Sequence, residues 1–175
     1  MRSGTPTAPA TQAFVDELRA ETETTRRLLD RIPADRLTWR PHPKSMTIGQ
    51  LGLHIARIPG DLCNLASMDG FDASQANFEP AQPASAAAIS EALAAAVVRG
   101  AEYLGALEDA ELGAVSNLTS HGKPVFSVPR AGLLRSILFN HWYHHRGQLS
   151  VYLRLLDVPV PVSYGRTADE DPFAA

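Results

Sequence analysis

The sequence has a single cysteine, Cys63, among its 175 residues. One thiol excludes an intramolecular disulfide and a multi-cysteine zinc cluster, which fits a reducing compartment. The chain lacks a run of about 20 apolar residues, the length that a membrane span needs. Residues 1–12 also lack the apolar core of a signal peptide. We therefore expect a cytoplasmic protein with no membrane partner.

Positive charge is neither abundant nor concentrated in this sequence. Lys and Arg number 16 against 19 Asp and Glu, which gives a formal net charge of −3 at pH 7. Binding to a phosphate backbone needs a concentrated cationic surface, so nucleic acid is not an expected partner. With 45% hydrophobic and 20% charged residues, the composition is typical of a globular domain. We predict a single domain over residues 1–175, with residues 1–10 as a flexible extension.

Four segments show the apolar spacing of amphipathic helices, at residues 11–32, 47–68, 85–107 and 130–157. Proline follows the first and the last of them, at Pro33 and Pro159. Helices of about 20 residues are roughly 30 Å long, the length found in helical bundles. The pattern predicts an all-α four-helix bundle with a long loop between the third and fourth helices.

Two local signals refine this prediction. Thr47 and Gln50 have the spacing of a capping box, which marks the start of the second helix. Pro59 lies inside that helix and removes a backbone donor, so we expect either a kink or two shorter helices. Within the long loop, residues 117–126 indicate a short hairpin.

Histidines occupy the apolar face of the predicted fourth helix. At roughly 100° per residue, six large side chains fall within about 60° of His141: Leu134, Ile137, Leu138, Tyr152, Leu155 and Leu156. His145 falls at about +40°, inside this stripe, and His144 falls at about −60°, at its edge. His141 and His145 are therefore predicted to face the core, one helical turn apart.

The second helix carries a third histidine on its apolar face. With His54 at zero, Leu51 and Ile58 fall within about 60°, whereas Cys63 falls at about 180°. Cys63 is therefore a poor candidate ligand. For a single histidine on an apolar face, a hydrogen-bonded core imidazole is the usual explanation.

Three inward histidines favour a different explanation. An i, i+4 pair lets two helical side chains share one ion, and a histidine from a facing helix completes a three-histidine set. Such a set leaves a coordination position open, as in catalytic zinc sites. Imidazole binds zinc, nickel, copper and iron, so the ligands do not select the metal. A ferritin-like di-iron site is disfavoured because paired Glu-x-x-His motifs are absent.

The sequence around these histidines resembles the DinB-like family of metal-dependent proteins. The resemblance rests on three stretches: residues 140–154, which contain Asn-His-Trp-Tyr-His-His-Arg-Gly-Gln-Leu, residues 40–50, and residues 164–170. It implies a four-helix bundle, commonly a homodimer. It also implies one divalent ion, nickel, zinc or iron, bound by His54, His141 and His145.

The resemblance leaves the activity open. Relatives in the wider superfamily include transferases of low-molecular-weight thiols such as bacillithiol and mycothiol, so our leading hypothesis is a metal-dependent thiol S-transferase acting on a small molecule. The alternatives are a metal-dependent hydrolase and a non-catalytic module that binds a metal or ligand during stress.

Four other residues near these motifs carry weaker expectations. Asp61 lies about two turns beyond His54, where it can face substrate or pair with an arginine. Gln148 lies in the histidine stripe and can orient an imidazole, bind substrate or form a hydrogen bond with backbone. Trp142 and Tyr143 project at about 100° and about 200°, away from the stripe, where they can pack under the long loops or, as we prefer, form a subunit contact through the first or fourth helix.

Arginines complete the expected polar face of the fourth helix. Arg135, Arg146 and Arg154 all fall beyond about 120° from His141, where we expect solvent.

Overall fold

Most of this protein is helical in the computed structural model, which describes residues 9–68 and 70–173. Its α-helices are α1 (Ala10–Leu29), α2 (Ile48–Ala66), α3 (Ala86–Ala106), α4 (Asp109–Leu112), α5 (Arg130–Leu133) and α6 (His141–Leu155). A π-helical segment, Leu134–Asn140, joins α5 to α6 into one helical stretch. The predicted helices are present, with ends displaced by a few residues. The expected N-terminal extension lies mostly outside the described residues, and Ala10 already belongs to α1.

A small sheet accompanies the helices. Its strands are β1 (Gly70–Asp72), β2 (Val115–Ser120) and β3 (Lys123–Pro129). Strand β1 pairs parallel to β2, and β2 pairs antiparallel to β3. The purely all-α prediction is therefore wrong. Because the fourth helical stretch is divided and α4 is an added turn, a simple four-helix count is not confirmed either.

The hairpin predicted within residues 117–126 is confirmed. Its turn is His121-Gly122, with φ of 51° and 72°, the left-handed pair that favours a glycine in tight hairpins. Asp72, at the end of β1, accepts hydrogen bonds from both turn amides, at 3.1 Å from His121 and 3.0 Å from Gly122. These bonds attach the segment after α2 to the hairpin.

The start of α2 follows the predicted capping box. The amide of Gln50 donates to Thr47 Oγ1 at 3.0 Å, and the amide of Thr47 donates to Gln50 Oε1 at 2.9 Å. The helix continues through Pro59 to Ala66, so the prediction of two shorter helices is wrong.

Small residues bring α2 and α3 together around Pro59. A Cβ added at Gly60 would lie 3.0 Å from Ala96 Cα, and one added at Gly100 would lie 3.2 Å from the carbonyl oxygen of Pro59. Both separations are tighter than ordinary van der Waals contacts, so the two glycines permit this close approach.

The core draws apolar side chains from every long helix. Completely buried members include Leu18 of α1, Leu51 and Ile55 of α2, Leu104 of α3 and Trp142 of α6. Within the described part of the chain, no helix has the length and apolar character required for a membrane crossing.

The π-helical segment changes the faces that the fourth helical stretch presents. In a π-helix, each hydrogen bond spans five residues, and the chain turns by roughly 80° per residue instead of the 100° of an α-helix. Relative to His141, this moves Leu138 from about +60° to about +120° and Leu134 from about +20° to about +160°. Both are buried, and they now align with Trp142 and Leu149, which are also buried.

The predicted stripe centred on His141 is therefore wrong. The buried face lies about 110° away, and His141 and His145 flank it, half-buried. Leu155 was predicted to face the core when a regular α-helix was assumed throughout, but it is 57% exposed.

Candidate metal centre

Three histidines from two helices meet at one point. His54 lies in the middle of α2, while His141 begins α6 and His145 follows one turn later. His54 Nε2 lies 3.4 Å from His141 Nε2, and His145 Nε2 lies 2.7 Å from the same atom. One ring nitrogen from each residue lies within 4.8 Å of the others. The structure therefore brings together the three histidines that the sequence selected, in a group that can hold a metal ion.

The spacing of these nitrogens suits a small divalent ion. Imidazole nitrogens bind zinc at about 2.0–2.1 Å, so two of them on one tetrahedral ion stand roughly 3.4 Å apart. The His54–His141 separation of 3.4 Å matches this value. The 2.7 Å separation of His141 and His145 needs to widen by roughly 0.7 Å, which side-chain rotation can provide.

Burial keeps this histidine group neutral. Desolvation, followed by the neighbouring His145 and His141, lowers the pKa of His54 to about 4. The pKa values of His141 and His145 are also lowered, with burial as the largest cause. Neutral imidazoles carry the lone pair that a metal ion requires.

Hydrogen-bond acceptors also contact the rings of His141 and His145, and they help to orient these imidazoles. Gln148 Oε1 lies 2.7 Å from His145 Nδ1, and the backbone carbonyl of Ile137 is a hydrogen-bond partner of His141. An acceptor on Nδ1 places the proton there, so the His145 Nε2 lone pair points towards the group. Gln148 therefore contacts an imidazole, one of the three arrangements expected for it, although the residue is exposed.

A pocket of about 650 Å³ opens beside His54 and His141. It lies along α2, and its outer wall comprises Phe71 and residues 77–81. The wall is held by Asp72 at the hairpin and by Gln50, whose Nε2 donates to the carbonyl of Pro80 at 2.9 Å. The volume is in the range of small-molecule sites.

The pocket lining is mostly apolar with a few charged groups. Leu53, Leu65 and Phe78 are among the apolar lining residues, and Arg57, Asp61 and Glu79 contribute charge. Such a lining can accept an organic molecule with an apolar part and a polar group.

Asp61 lies outside the histidine group and pairs with Arg57. The distance from Arg57 Nε to Asp61 Oδ2 is 3.2 Å, and both side chains are about half exposed. Of the two expectations for Asp61, the structure shows the pairing with an arginine. An ion pair this exposed contributes little to stability, so Asp61 remains available to a molecule in the pocket.

The predicted solvent-side position of Arg146 is wrong, and Trp142 lies inside the fold and not at the expected subunit contact. Trp142 is completely buried, and its Nε1 donates to the carbonyl of Ile55 at 3.0 Å. Arg146, only 3% exposed, donates to the carboxylate of Glu21 at 2.5 Å and to Thr25 Oγ1 at 3.1 Å. Both residues lie in α6, after the π-helical segment, so their angles to His141 are unchanged and the error is in which face of α6 is buried. Tyr143 is half-buried and donates to Glu17, so neither aromatic residue supports the expected subunit contact.

Most of the pocket lining was not predicted from the sequence, and Gln50 and Arg57 are two such residues on α2. Both lie on the same face of α2 as His54, at i−4 and i+3, which is the signal that could have identified them. His144 is exposed and lies outside the metal-ligand group.

The fold and the site together define a helix-rich protein whose three-histidine group is compatible with metal binding. The sequence pattern of the DinB superfamily matches residues 17–149, and the chain belongs to that superfamily.

Solved structures with related folds carry the same description. A DinB-like protein from Bacillus cereus is 25% identical with a TM-score of 0.69, over 87% of this chain and 97% of its own. A DinB-like protein from Bacillus subtilis is 20% identical with a TM-score of 0.66, over 88% and 99% of the two chains. No curated protein matches the sequence significantly.

Proposed function

We propose that this protein binds one divalent metal ion through His54, His141 and His145, and acts as a metal-dependent S-transferase for a low-molecular-weight thiol. The observation that carries the proposal is the convergence of three neutral imidazoles at the edge of a 650 Å³ pocket. An ion held by three imidazoles keeps an open position at which it can lower the pKa of a thiol. Nickel, zinc and iron are all compatible with this ligand set.

The residues of the chain supply binding and orientation. Gln148 holds the His145 proton on Nδ1, which keeps Nε2 free as a ligand. Leu53, Leu65 and Phe78 offer apolar surface for the electrophilic partner. Arg57 engages Asp61 through Nε, and its remaining donors can bind a carboxylate on a substrate in the pocket.

The first test is metal analysis followed by thiol titration. Purified protein should contain about one divalent ion per chain. After cobalt replaces that ion, bacillithiol, mycothiol, glutathione and cysteine are added in turn while the visible spectrum is recorded. A thiolate charge-transfer band with at least one of them, together with conjugation to a generic electrophile faster than in His54→Ala, supports S-transfer.

A metal-dependent hydrolase is the second candidate. The observation that favours it is the presence of two carboxylates, Asp61 and Glu79, in the pocket lining, since a carboxylate near the ion can serve as a general base. Ester and amide substrates should then turn over without any thiol, and Asp61→Asn or Glu79→Gln should reduce the rate. Metal binding without turnover of either kind would leave the non-catalytic module.

A further inference from the structure

Helix α2 contains a backbone carbonyl that its own helix cannot satisfy in the regular way. The carbonyl of Ile55 would normally accept a hydrogen bond from the amide of residue 59. That residue is Pro59, which has no N–H. Ile55 is 0% exposed and Pro59 is buried, so water is a poor substitute donor at this point.

Trp142 of α6 supplies the missing donor. Its indole Nε1 donates to the Ile55 carbonyl oxygen at 3.0 Å, and its side chain is 0% exposed. An indole N–H is a donor that needs an acceptor when it is buried. Each of the two buried groups therefore satisfies the other.

This hydrogen bond lies beside the histidine group. Ile55 directly follows His54, and Trp142 directly follows His141. The bond therefore joins α2 and α6 at the residues next to two of the three candidate ligands.

Both partners have further contacts one helical turn along. Pro59 lies close to Gly100 of α3, where an added Cβ would lie 3.2 Å from the Pro59 carbonyl oxygen. The Arg146 guanidinium lies 5.5 Å from the Trp142 ring and is bound to α1 through Glu21. The hydrogen bond is thus the fixed point between two supported helices.

We propose that Pro59 and Trp142 are a pair of positioning residues that set the separation of His54 from His141 and His145. Pro59 frees the carbonyl, Trp142 binds it, and the distance between the two ligand-bearing helices follows. This inference rests on the proposed metal site, because its consequence is the affinity and geometry of the bound ion.

The test is a double-mutant cycle in the full-length protein, read by cobalt binding. Trp142→Phe removes the donor and keeps an aromatic ring, and we expect cobalt affinity to fall about 10- to 100-fold, as for residues that orient ligands. Pro59→Ala restores an amide at residue 59 that can reach the Ile55 carbonyl. Added to Trp142→Phe, it satisfies the Ile55 carbonyl within α2 but makes no bond to α6, so the free energy of unfolding should recover in urea denaturation while cobalt affinity and the visible spectrum stay altered. Pro59→Ala alone should change affinity less than Trp142→Phe, because the indole bond remains.

The control is Trp39→Phe, the same change at the other of the two tryptophans, whose ring packs edge-on against Tyr152. It should leave the cobalt spectrum and affinity unchanged. Cobalt binding by Trp142→Phe equal to that of Trp39→Phe, or full recovery of cobalt affinity on adding Pro59→Ala, would overturn the positioning role. If Trp142→Phe does not fold, the double variant is compared with Pro59→Ala: weaker cobalt binding by the double variant supports the proposal, and equal binding overturns it. A wild-type protein that binds no divalent ion would instead refute the proposed function.

Discussion

Two polar clusters that include adjacent residues of α6 differ in the hydrogen-bond partners that the protein supplies to them. The histidine group contains His145, and the arginine cluster begins at the next residue, Arg146, with Glu21, Thr25 and Tyr164 as partners. The guanidinium faces a carboxylate and two hydroxyl groups, and it stacks 4.8 Å from the Tyr143 ring. The imidazole nitrogens face one another beside a pocket.

This difference separates a structural cluster from a binding site. A buried charge whose donors are bound by the protein holds elements together, and here it joins α1, α6 and the C-terminal segment. Neutral bases that converge on each other have lone pairs for an external Lewis acid. Four experiments test this contrast, from the largest expected effect to the smallest.

Loss of a ligand should have the largest effect. His141→Ala or His145→Ala should reduce metal content from about one ion per chain to near zero, measured by elemental analysis after purification in one buffer. His144→Ala is the matched control, since this side chain is exposed, and it should retain the metal. Undiminished metal content in both variants would show that His141 and His145 are not the metal ligands.

Removal of the arginine should affect stability instead. Arg146→Ala leaves Glu21 without its cation in a pair whose side chains are only 4% and 16% exposed, so we expect a loss of about 3–5 kcal/mol in the free energy of unfolding. Urea denaturation measures it. Arg26→Ala, in a pair with Glu23 that is more than half exposed, should leave the midpoint unchanged. Equal effects of the two substitutions would contradict the structural role of the cluster.

Loss of the acceptor on His145 should have an intermediate effect. Gln148→Ala removes the partner of Nδ1, and metal affinity should fall about tenfold, at the low end for such contacts. Competition with a chelator of known affinity measures the change. Gln148→Glu keeps an acceptor and should bind at least as tightly as the wild type. If both variants weaken binding equally, the amide does not act through the imidazole.

The smallest expected effect is the contribution of the Glu17 carboxylate to the pH dependence of the free energy of unfolding. Its hydrogen bond with Arg135, opposed in part by desolvation, leaves the carboxyl pKa below its ordinary value of 4.5. The unfolded chain therefore binds more protons in acid, so this contribution is present above about pH 4.5 and is lost as pH falls through the lowered pKa. The Glu17 side chain is 25% exposed and its partner Arg135 is 47% exposed, so solvent screens the pair in part and we expect about 1 kcal/mol or less.

Glu17→Gln, measured by denaturation at pH 7 and pH 3, should be less stable than wild type only at pH 7. The exposed Glu102→Gln on α3 is the control and should differ at neither pH. A Glu17→Gln deficit that is the same at both pH values would show that the carboxylate charge is not responsible.

The sequence alone identified features that depend on short spacings. The capping box at Thr47 and Gln50 and the hairpin around His121-Gly122 are set by hydrogen bonds within a few residues, so local pattern was sufficient to predict them. The prediction that His141 and His145 lie one turn apart on one face was also correct, although the buried face of the helix was misassigned. Both residues lie within α6, after the π-helical segment. The third histidine, His54, came from the apolar face of a separate helix.

Only the tertiary structure decided which faces of α6 are covered. The π-helical turn over residues 134–140 rotates the buried side of the stretch, and no spacing in the sequence marks its position. Trp142 lies against the carbonyl of Ile55 and Arg146 against Glu21, partners 87 and 125 residues away. The same holds for the pocket wall, which Asp72 attaches to the turn of a hairpin far along the chain. Local periodicity records what a helix could bury, whereas distant partners determine what it does bury.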